Sequence, residues 1–112
     1  MPEPGSHYSA GLELIRSGEF FEAHEELELA WRAADPEEKD FYQGLVHVTV
    51  AWYQAGRRNR RGCERQLEKA LRRLTPFAPA HRGVDIEHVL AQVRAAQAVV
   101  SRGSLDLRPP RL

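Results

Sequence analysis

The feature that most constrains this chain is an uncharged and mostly apolar stretch of sixteen residues at positions 41–56. At about 100° per residue its large side chains cover two adjoining faces of a helix. One face carries Phe41, Leu45, Val48 and Trp52, and the other carries Tyr42, Val46 and Tyr53. A helix that is apolar over most of its circumference belongs at the centre of a bundle. Since a bilayer-spanning helix needs ~20 residues, we expect a buried helix and no membrane contact.

Helical periodicity predicts four further helices around this one, because no segment shows the sustained alternation of a β-strand. They are expected at about 8–16, 20–33, 59–74 and 85–101. The central helix is expected to begin at Asp35, an N-cap followed by Pro36 and, three residues after the cap, Glu38. The predicted fold is a compact all-α bundle of about five helices, two helical hairpins plus a flanking helix, around the central buried helix from Phe41 to Gly56.

The length of 112 residues fits a single helical domain. We expect an ordered core over about 7–102, with loose tails at 1–6 and 103–112. The single cysteine, Cys63, excludes an internal disulfide and favours a cytoplasmic protein. The first residues show neither the basic start nor the apolar run of a secretory signal.

The second predicted helix carries a histidine on its apolar face. Phe20, His24, Leu27 and Trp31 share that face at helical spacing, so His24 is expected to point into the core. Glu28 lies one turn after His24 on the same side, whereas Glu25 is about 100° away. The pentad from His24 to Glu28 differs from the zinc-protease signature H-E-x-x-H by its last residue.

Two interpretations of this segment stay open. In the first, His24, Glu28 and His47 are metal ligands and Glu25 is the base of a metal-dependent hydrolase. In the second, His24 and Glu28 form an intrahelical pair, and with Glu25, Gln43 and His47 they make a polar cluster between the second and third helices of a non-enzymatic binding module. We favour the second, because the second histidine of the signature is absent and buried polar groups are usually hydrogen-bonded. No cofactor is predicted.

Aromatic residues and the cysteine offer weaker signals. Trp31 and Trp52 are candidates for lining a pocket, although aromatic residues at helical spacing more often belong to the core. Cys63 falls on the apolar stripe of the fourth helix, which favours a buried, inert thiol over a nucleophile.

Opposite charges are segregated along a chain of zero formal net charge. Residues 1–40 carry eleven acidic and three basic side chains, and residues 57–73 carry eight basic and two acidic ones. The predicted basic face consists of Arg57, Arg58, Arg60, Arg61 and Arg65. It is interpreted as a contact for an acidic protein, or as a face paired with the acidic helices within the chain or in a homo-oligomer. Nucleic acid is not favoured, because the net charge is zero and no aromatic residue interleaves with the arginines.

Three sequence blocks form a recurring family pattern. They are Phe20-Phe21-Glu22-Ala23-His24-Glu25-x-Leu27-Glu28-x-x-Trp31, Phe41-x-Gln43-Gly44-Leu45-x-His47 and Gly56-x-x-Asn59-x-x-Gly62. Together they resemble domain-of-unknown-function family 309, over about residues 8–100. The resemblance implies a compact all-α fold and a motif centred on His24, Glu25, Glu28, Gln43 and His47, with no established activity, substrate or cofactor. The family commonly has the glycine and asparagine of the third block adjacent, whereas here Arg57 and Arg58 separate them.

Overall fold

A computed structural model describes residues 4–112 as a bundle of five α-helices. The helices are α1 (Pro4–Arg16), α2 (Phe20–Ala33), α3 (Lys39–Gly56), α4 (Arg60–Leu74) and α5 (Ile86–Ser101). Two 3₁₀ turns, Pro36–Glu38 and Thr75–Phe77, precede α3 and follow α4. A short antiparallel ladder of β1 (Ala80–His81) and β2 (Val84–Asp85) leads into α5. The predicted all-α bundle of about five helices is confirmed.

The central helix α3 has the predicted burial, with eleven of its eighteen residues buried. Helices α2 and α4 both pack against α3, while α1 packs on α2 and α5 packs on α4. Two close approaches hold these layers together. A Cβ added to Gly44 would lie 2.5 Å from Leu74 Cγ, and one added to Gly11 would lie 2.7 Å from Leu27 Cγ. The glycines therefore let α4 approach α3, and α2 approach α1, more closely than alanine would allow.

The start of α3 differs from the predicted capping box. The Asp35 side chain makes no capping hydrogen bond, and Pro36–Glu38 form a 3₁₀ turn before the α-helix begins at Lys39. The Glu38 carboxylate, expected to bond the Asp35 amide, instead accepts hydrogen bonds from His81 and Arg82. The predicted cap of α5 is confirmed, because Asp85 Oδ1 accepts from the amide of His88 at 3.0 Å.

The two segments expected to be loose tails, 1–6 and 103–112, are largely ordered where the structure describes them. Residues 1–3 lie outside the described residues, and residues 4–6 form the first turn of α1. Residues 104–112 form no helix or strand, yet they lie against the bundle. Leu105, Leu107 and Leu112 pack on the core, and Pro110 is buried. The alternate leucines and the buried proline give this segment enough apolar surface to dock on the bundle. It was expected to be a loose tail because it is rich in proline and arginine.

None of the helices within residues 4–112 combines the length and the apolar character that crossing a bilayer requires.

Candidate functional site

His24 lies at the margin of the α2 interface, so the prediction that it points into the core is wrong. The buried residues of α2 are Ala23, Leu27 and Ala30. The side chain of His24 keeps 26% of its surface exposed. Leu27 of the predicted face is buried together with the two alanines, whereas Phe20, His24 and Trp31 of that face are only half-buried.

Both ring nitrogens of His24 face oxygen acceptors on its own helix. Nε2 lies 3.2 Å from Glu28 Oε1, and Nδ1 lies 3.3 Å from the carbonyl oxygen of Phe21. The intrahelical pair of His24 and Glu28 that the spacing favoured is therefore present.

His47 contacts the other neighbour of α3, helix α4. Its Nδ1–H donates to Oε1 of Gln66 over 2.7 Å, and only 7% of the residue is exposed. Burial lowers the pKa of His47, because the charged ring would lose its hydration. The Gln66 hydrogen bond raises this pKa, and the positive charges of Lys69, Arg73 and Arg72 lower it further.

The ligand set of the hydrolase interpretation does not assemble. On the side of His24, the ring of Phe21 contacts both His24 and Tyr53 of α3. Tyr53 follows His47 by six residues, which places the two about 120° apart around α3. Across residues 4–112, no three His, Cys, Asp or Glu side chains form a group that could hold a metal ion. The polar cluster predicted between helices two and three is thus divided between two sides of α3.

The two remaining members of that cluster add no link between its halves. Gln43 is half-buried one turn before His47, and Glu25 is exposed on α2. The residues that the structure brings together are therefore His24 with Glu28, and His47 with Gln66.

An exposed aromatic patch lies where α2 begins and α3 ends. Phe21 is 48% exposed, and its ring centroid lies 5.7 Å from those of both His24 and Tyr53. The guanidinium of Arg57 lies 5.6 Å from the Tyr53 ring centroid and donates to its hydroxyl at 3.1 Å. We call Phe21, His24, Tyr53 and Arg57 the aromatic patch. It joins the histidine motif of α2 to the first arginine of the basic face.

The two tryptophans have different surroundings. Trp52 is 6% exposed, donates from Nε1 to the carbonyl oxygen of Arg108 at 2.8 Å, and lines a cavity of about 280 Å³ beside Leu105. Trp31 is half-buried, and the Lys39 ammonium lies 4.9 Å from its ring centroid. Of the two residues considered as pocket-lining, Trp52 borders a cavity and Trp31 is covered by a lysine.

The arginines of the predicted basic face are all exposed, but their partners differ. Arg58 lies 3.2 Å from Asp106, Arg60 lies 3.6 Å from Glu64, and Arg57 covers Tyr53. Within residues 4–112, neither Arg61 nor Arg65 has a carboxylate within 4.0 Å. In the part of the chain that is described, none of the five pairs with α1 or α2. Neutralisation by those acidic helices within the chain is therefore not observed.

Arg61 and Arg65 belong to a longer row of positive side chains. Lys69 and Arg72 continue it at spacings of four and three residues, which keeps the four within about 80° of the helix circumference. We call Arg61, Arg65, Lys69 and Arg72 the cation row. Counting only carboxylates of residues 4–112, all four lack a partner within 4.0 Å, including the neighbouring Glu68. The row lies opposite the buried side of α4.

A hydrogen-bonded cluster before α3 was missed by the sequence analysis. Glu38 accepts from Arg82 and, at 2.9 Å, from His81 Nε2. The Arg82 hydrogen bond lowers the pKa of Glu38, and the His81 hydrogen bond adds to this against an opposing effect of burial. The Tyr8 hydroxyl donates to the Arg82 carbonyl at 2.8 Å, and burial raises the pKa of Tyr8 to about 12. The cluster fastens the β1–β2 ladder to α1 and to the turn before α3.

No local pattern could have revealed this cluster, because Glu38 is separated from His81 by 43 residues. The aromatic patch could have been found, since a helical wheel of α2 places Phe21 outside its buried stripe.

Comparison with curated proteins and with solved structures finds no significant match for this chain. A family model does match, over residues 8–66, and ends within α4, short of the 8–100 that the sequence blocks suggested. The matched part is more than half of the chain and contains all three blocks. The family is described as a domain of unknown function (DUF309), and the chain belongs to it.

Proposed function

We propose that this protein is a non-enzymatic interaction module that binds an acidic protein through the cation row of α4. The observation that carries the proposal is the lack of any carboxylate of residues 4–112 within 4.0 Å of Arg61, Arg65, Lys69 and Arg72. Like charges one turn apart on a helix are unfavourable by ~0.2–0.5 kcal/mol per pair. An acidic surface docked on α4 would remove that repulsion.

The aromatic patch, at the start of α2 and the end of α3, offers a partner a second, apolar contact. Energetic hot spots of protein interfaces are enriched in aromatic residues and arginine. Phe21 and Arg57 supply both within one patch, and Phe21 is one of two large hydrophobic residues that are substantially exposed in residues 4–112. His24 belongs to this patch, and Glu28 lies beside it. The family motif of α2 therefore contributes to the contact with the partner and not to a reaction.

An acidic protein suits the row better than a nucleic acid does. The row extends over twelve residues, or ~16 Å of helix between its first and last members, which matches a compact acidic surface. Duplex DNA presents a charge every ~1.7 Å over a long distance.

The test is a titration of a fluorescent decaglutamate peptide with the full chain, read by anisotropy at low and moderate salt. We expect the double substitution Arg61→Glu, Arg65→Glu to weaken binding at least tenfold, which corresponds to about 1.4 kcal/mol. Wild-type binding should also weaken steeply as salt rises, because exposed charges are screened.

The matched control is Arg94→Glu, Arg102→Glu, which makes the same charge change at exposed positions on α5 and directly after it. Equal losses in the two double variants would show that net charge alone matters, and the proposal would fail. A salt-independent affinity would also contradict it. A duplex oligonucleotide that binds more tightly than the peptide would assign the row to nucleic acid instead.

A further inference from the structure

The segment 104–112 crosses the bundle in a way that resembles a bound peptide. It leaves the end of α5, passes Trp52 on α3, and runs back along α5 until Arg111 lies beside Gln92 and Leu112 beside Arg16. Its backbone makes two local hydrogen bonds, from the Leu107 amide to the Leu105 carbonyl and from the Asp106 amide to the Ser104 hydroxyl, both at 3.1 Å. The segment is therefore held mainly by the surface beneath it.

Side chains of the bundle bond the backbone of this segment. Gln92 forms a two-point contact with Arg111, accepting from its amide at 2.7 Å and donating to its carbonyl oxygen at 2.6 Å. Trp52 Nε1 donates to the Arg108 carbonyl at 2.8 Å, and Arg16 donates to the Leu112 carbonyl at 3.2 Å. Contacts with the backbone of a chain do not depend on its side chains, so another extended peptide could make them.

The sequence of the segment favours an extended form. Pro109 and Pro110 have fixed φ near −65°, and a residue that precedes proline is disfavoured in the helical region. Arg108 and Pro109 each precede a proline. Such a chain loses little conformational entropy on binding, which is why grooves that contain tryptophan often bind proline-rich peptides.

The segment fills its groove incompletely. A space of about 1220 Å³ remains along α5, bordered by Gln92, Ala95 and Val99 on one side and by the segment on the other. The cavity of about 280 Å³ beside Trp52 lies between Leu105 and α3. A segment that leaves such space beside it opens more readily than the close-packed core of the same protein.

We propose that this groove is a peptide-binding site, which residues 104–112 occupy as a tethered ligand. Its ligand in trans is an extended segment of a partner protein with two leucines at alternate positions, followed by arginine and a pair of prolines. Gln92 and Trp52 bond the backbone of that peptide. The tethered segment competes with it at an effective concentration of roughly 1 mM, typical of short linkers. The site is distinct from the cation row, and neither proposal depends on the other.

The experiment uses the full chain and a fluorescent peptide of the sequence SLDLRPPRL, with binding read by anisotropy. An opened variant, Leu107→Asp, weakens the docking of the tethered segment without altering the groove. We expect the peptide to bind this variant at least tenfold more tightly than it binds wild type. Adding Gln92→Ala to the opened variant should then weaken binding about tenfold, because both hydrogen bonds to the peptide backbone are lost.

The matched control is Gln97→Ala in the opened variant. Gln97 is a half-buried glutamine on the same helix with no hydrogen bond to the segment. Equal affinities of the Gln92 and Gln97 variants for the peptide would overturn the proposal. So would the lack of saturable binding to the opened variant up to about 1 mM peptide, which is roughly the effective concentration of the tethered segment. A scrambled peptide that binds equally well would do the same.

Two further measurements keep the test decisive. If Leu107→Asp lowers the helical circular dichroism signal, the milder variant Leu107→Ala replaces it, with the same expected order of affinities. The mass of the wild-type chain in solution is measured at the concentrations of the titration. If the chain is a dimer at those concentrations and the monomer binds no peptide, the groove holds residues 104–112 of a second copy. The proposal of a peptide from a partner protein would then be wrong.

Discussion

The inner and outer sides of α4 differ in how completely the fold uses their side chains. On the inner side Cys63, Leu67, Ala70 and Leu74 are all 0% exposed, and Leu74 contacts α3 so closely that only glycine fits at position 44. On the outer side the cation row has no acidic partner within residues 4–112. One helix therefore carries a side that the fold requires and a side that is free to bind something else.

The largest expected effect comes from shortening a side chain on the inner side. Leu67→Ala should reduce the free energy of unfolding by ~2–5 kcal/mol, because a fully buried leucine leaves a cavity. Urea unfolding monitored by circular dichroism measures this. Leu71→Ala, at the half-buried edge of the same helix, is the control and should cost less. Equal losses would mean that the contrast between the two sides is weaker than the burial implies.

The second effect adds a methyl group to the same interface. Gly44→Ala should reduce the free energy of unfolding by ~1–3 kcal/mol, because the new Cβ would overlap Leu74 and overpacking strains a core. The intrinsic helix preference of alanine, ~1 kcal/mol, offsets part of this cost. Gly56→Ala is the matched control, since a Cβ there meets no atom within 4 Å. A stabilised Gly44→Ala protein would show that α4 can retreat without cost.

The third effect concerns His47 of α3, whose ring bonds Gln66 on α4, between the inner and outer sides of that helix. Because its pKa is lowered in the folded state, the unfolded chain binds a proton more readily. Stability is then fully present above the unfolded pKa of ~6.5 and falls as the pH decreases below it. Urea midpoints of wild type and His47→Gln should therefore diverge between neutral and mildly acidic pH, with wild type losing more.

The control for this pH dependence is His88→Gln, because His88 is exposed on α5. That variant should follow wild type over the same pH range. If His47→Gln also follows wild type, the buried ring does not titrate in this range and the inference from its burial is wrong.

The smallest expected effect is on the outer side. Arg61→Ala, Arg65→Ala should change the free energy of unfolding by less than ~0.5 kcal/mol, as exposed substitutions usually do. The same variant should bind decaglutamate more weakly than wild type does. A loss of stability comparable to that of Gly44→Ala would show that the cation row serves the fold, which would remove its contrast with the inner side.

Those features of the fold that depend on neighbouring residues were predictable. The bounds of α2 match the expected 20–33, because Gly18 and the Asp35-Pro36 pair delimit it. The Asp85 cap was also predicted, since it depends on residues within one turn. The capping box predicted at Asp35 does not form, because the Glu38 carboxylate instead accepts hydrogen bonds from His81 and Arg82, which are distant in sequence. Local rules describe what a side chain can do, and a distant charge can change which of those options it takes.

The candidate site follows the same division. The pair of His24 and Glu28 lies within one helical turn and was predicted. The predicted convergence of His24 with His47 is not found in the described residues, because it depended on how α2 and α3 are rotated against each other, which no pattern within either helix determines. The docking of residues 104–112 depended on a groove built from three helices, so no pattern within the segment could predict it.

The buried thiol of Cys63 is a natural probe for the separation of α4 from the rest of the bundle. Its pKa is raised, chiefly by burial, and only the thiolate reacts with alkylating reagents. Reaction therefore requires α4 to move away from the bundle and expose the sulfur. As Cys63 is the single cysteine of the chain, the labelling rate in native conditions measures how often the inner side of α4 meets water.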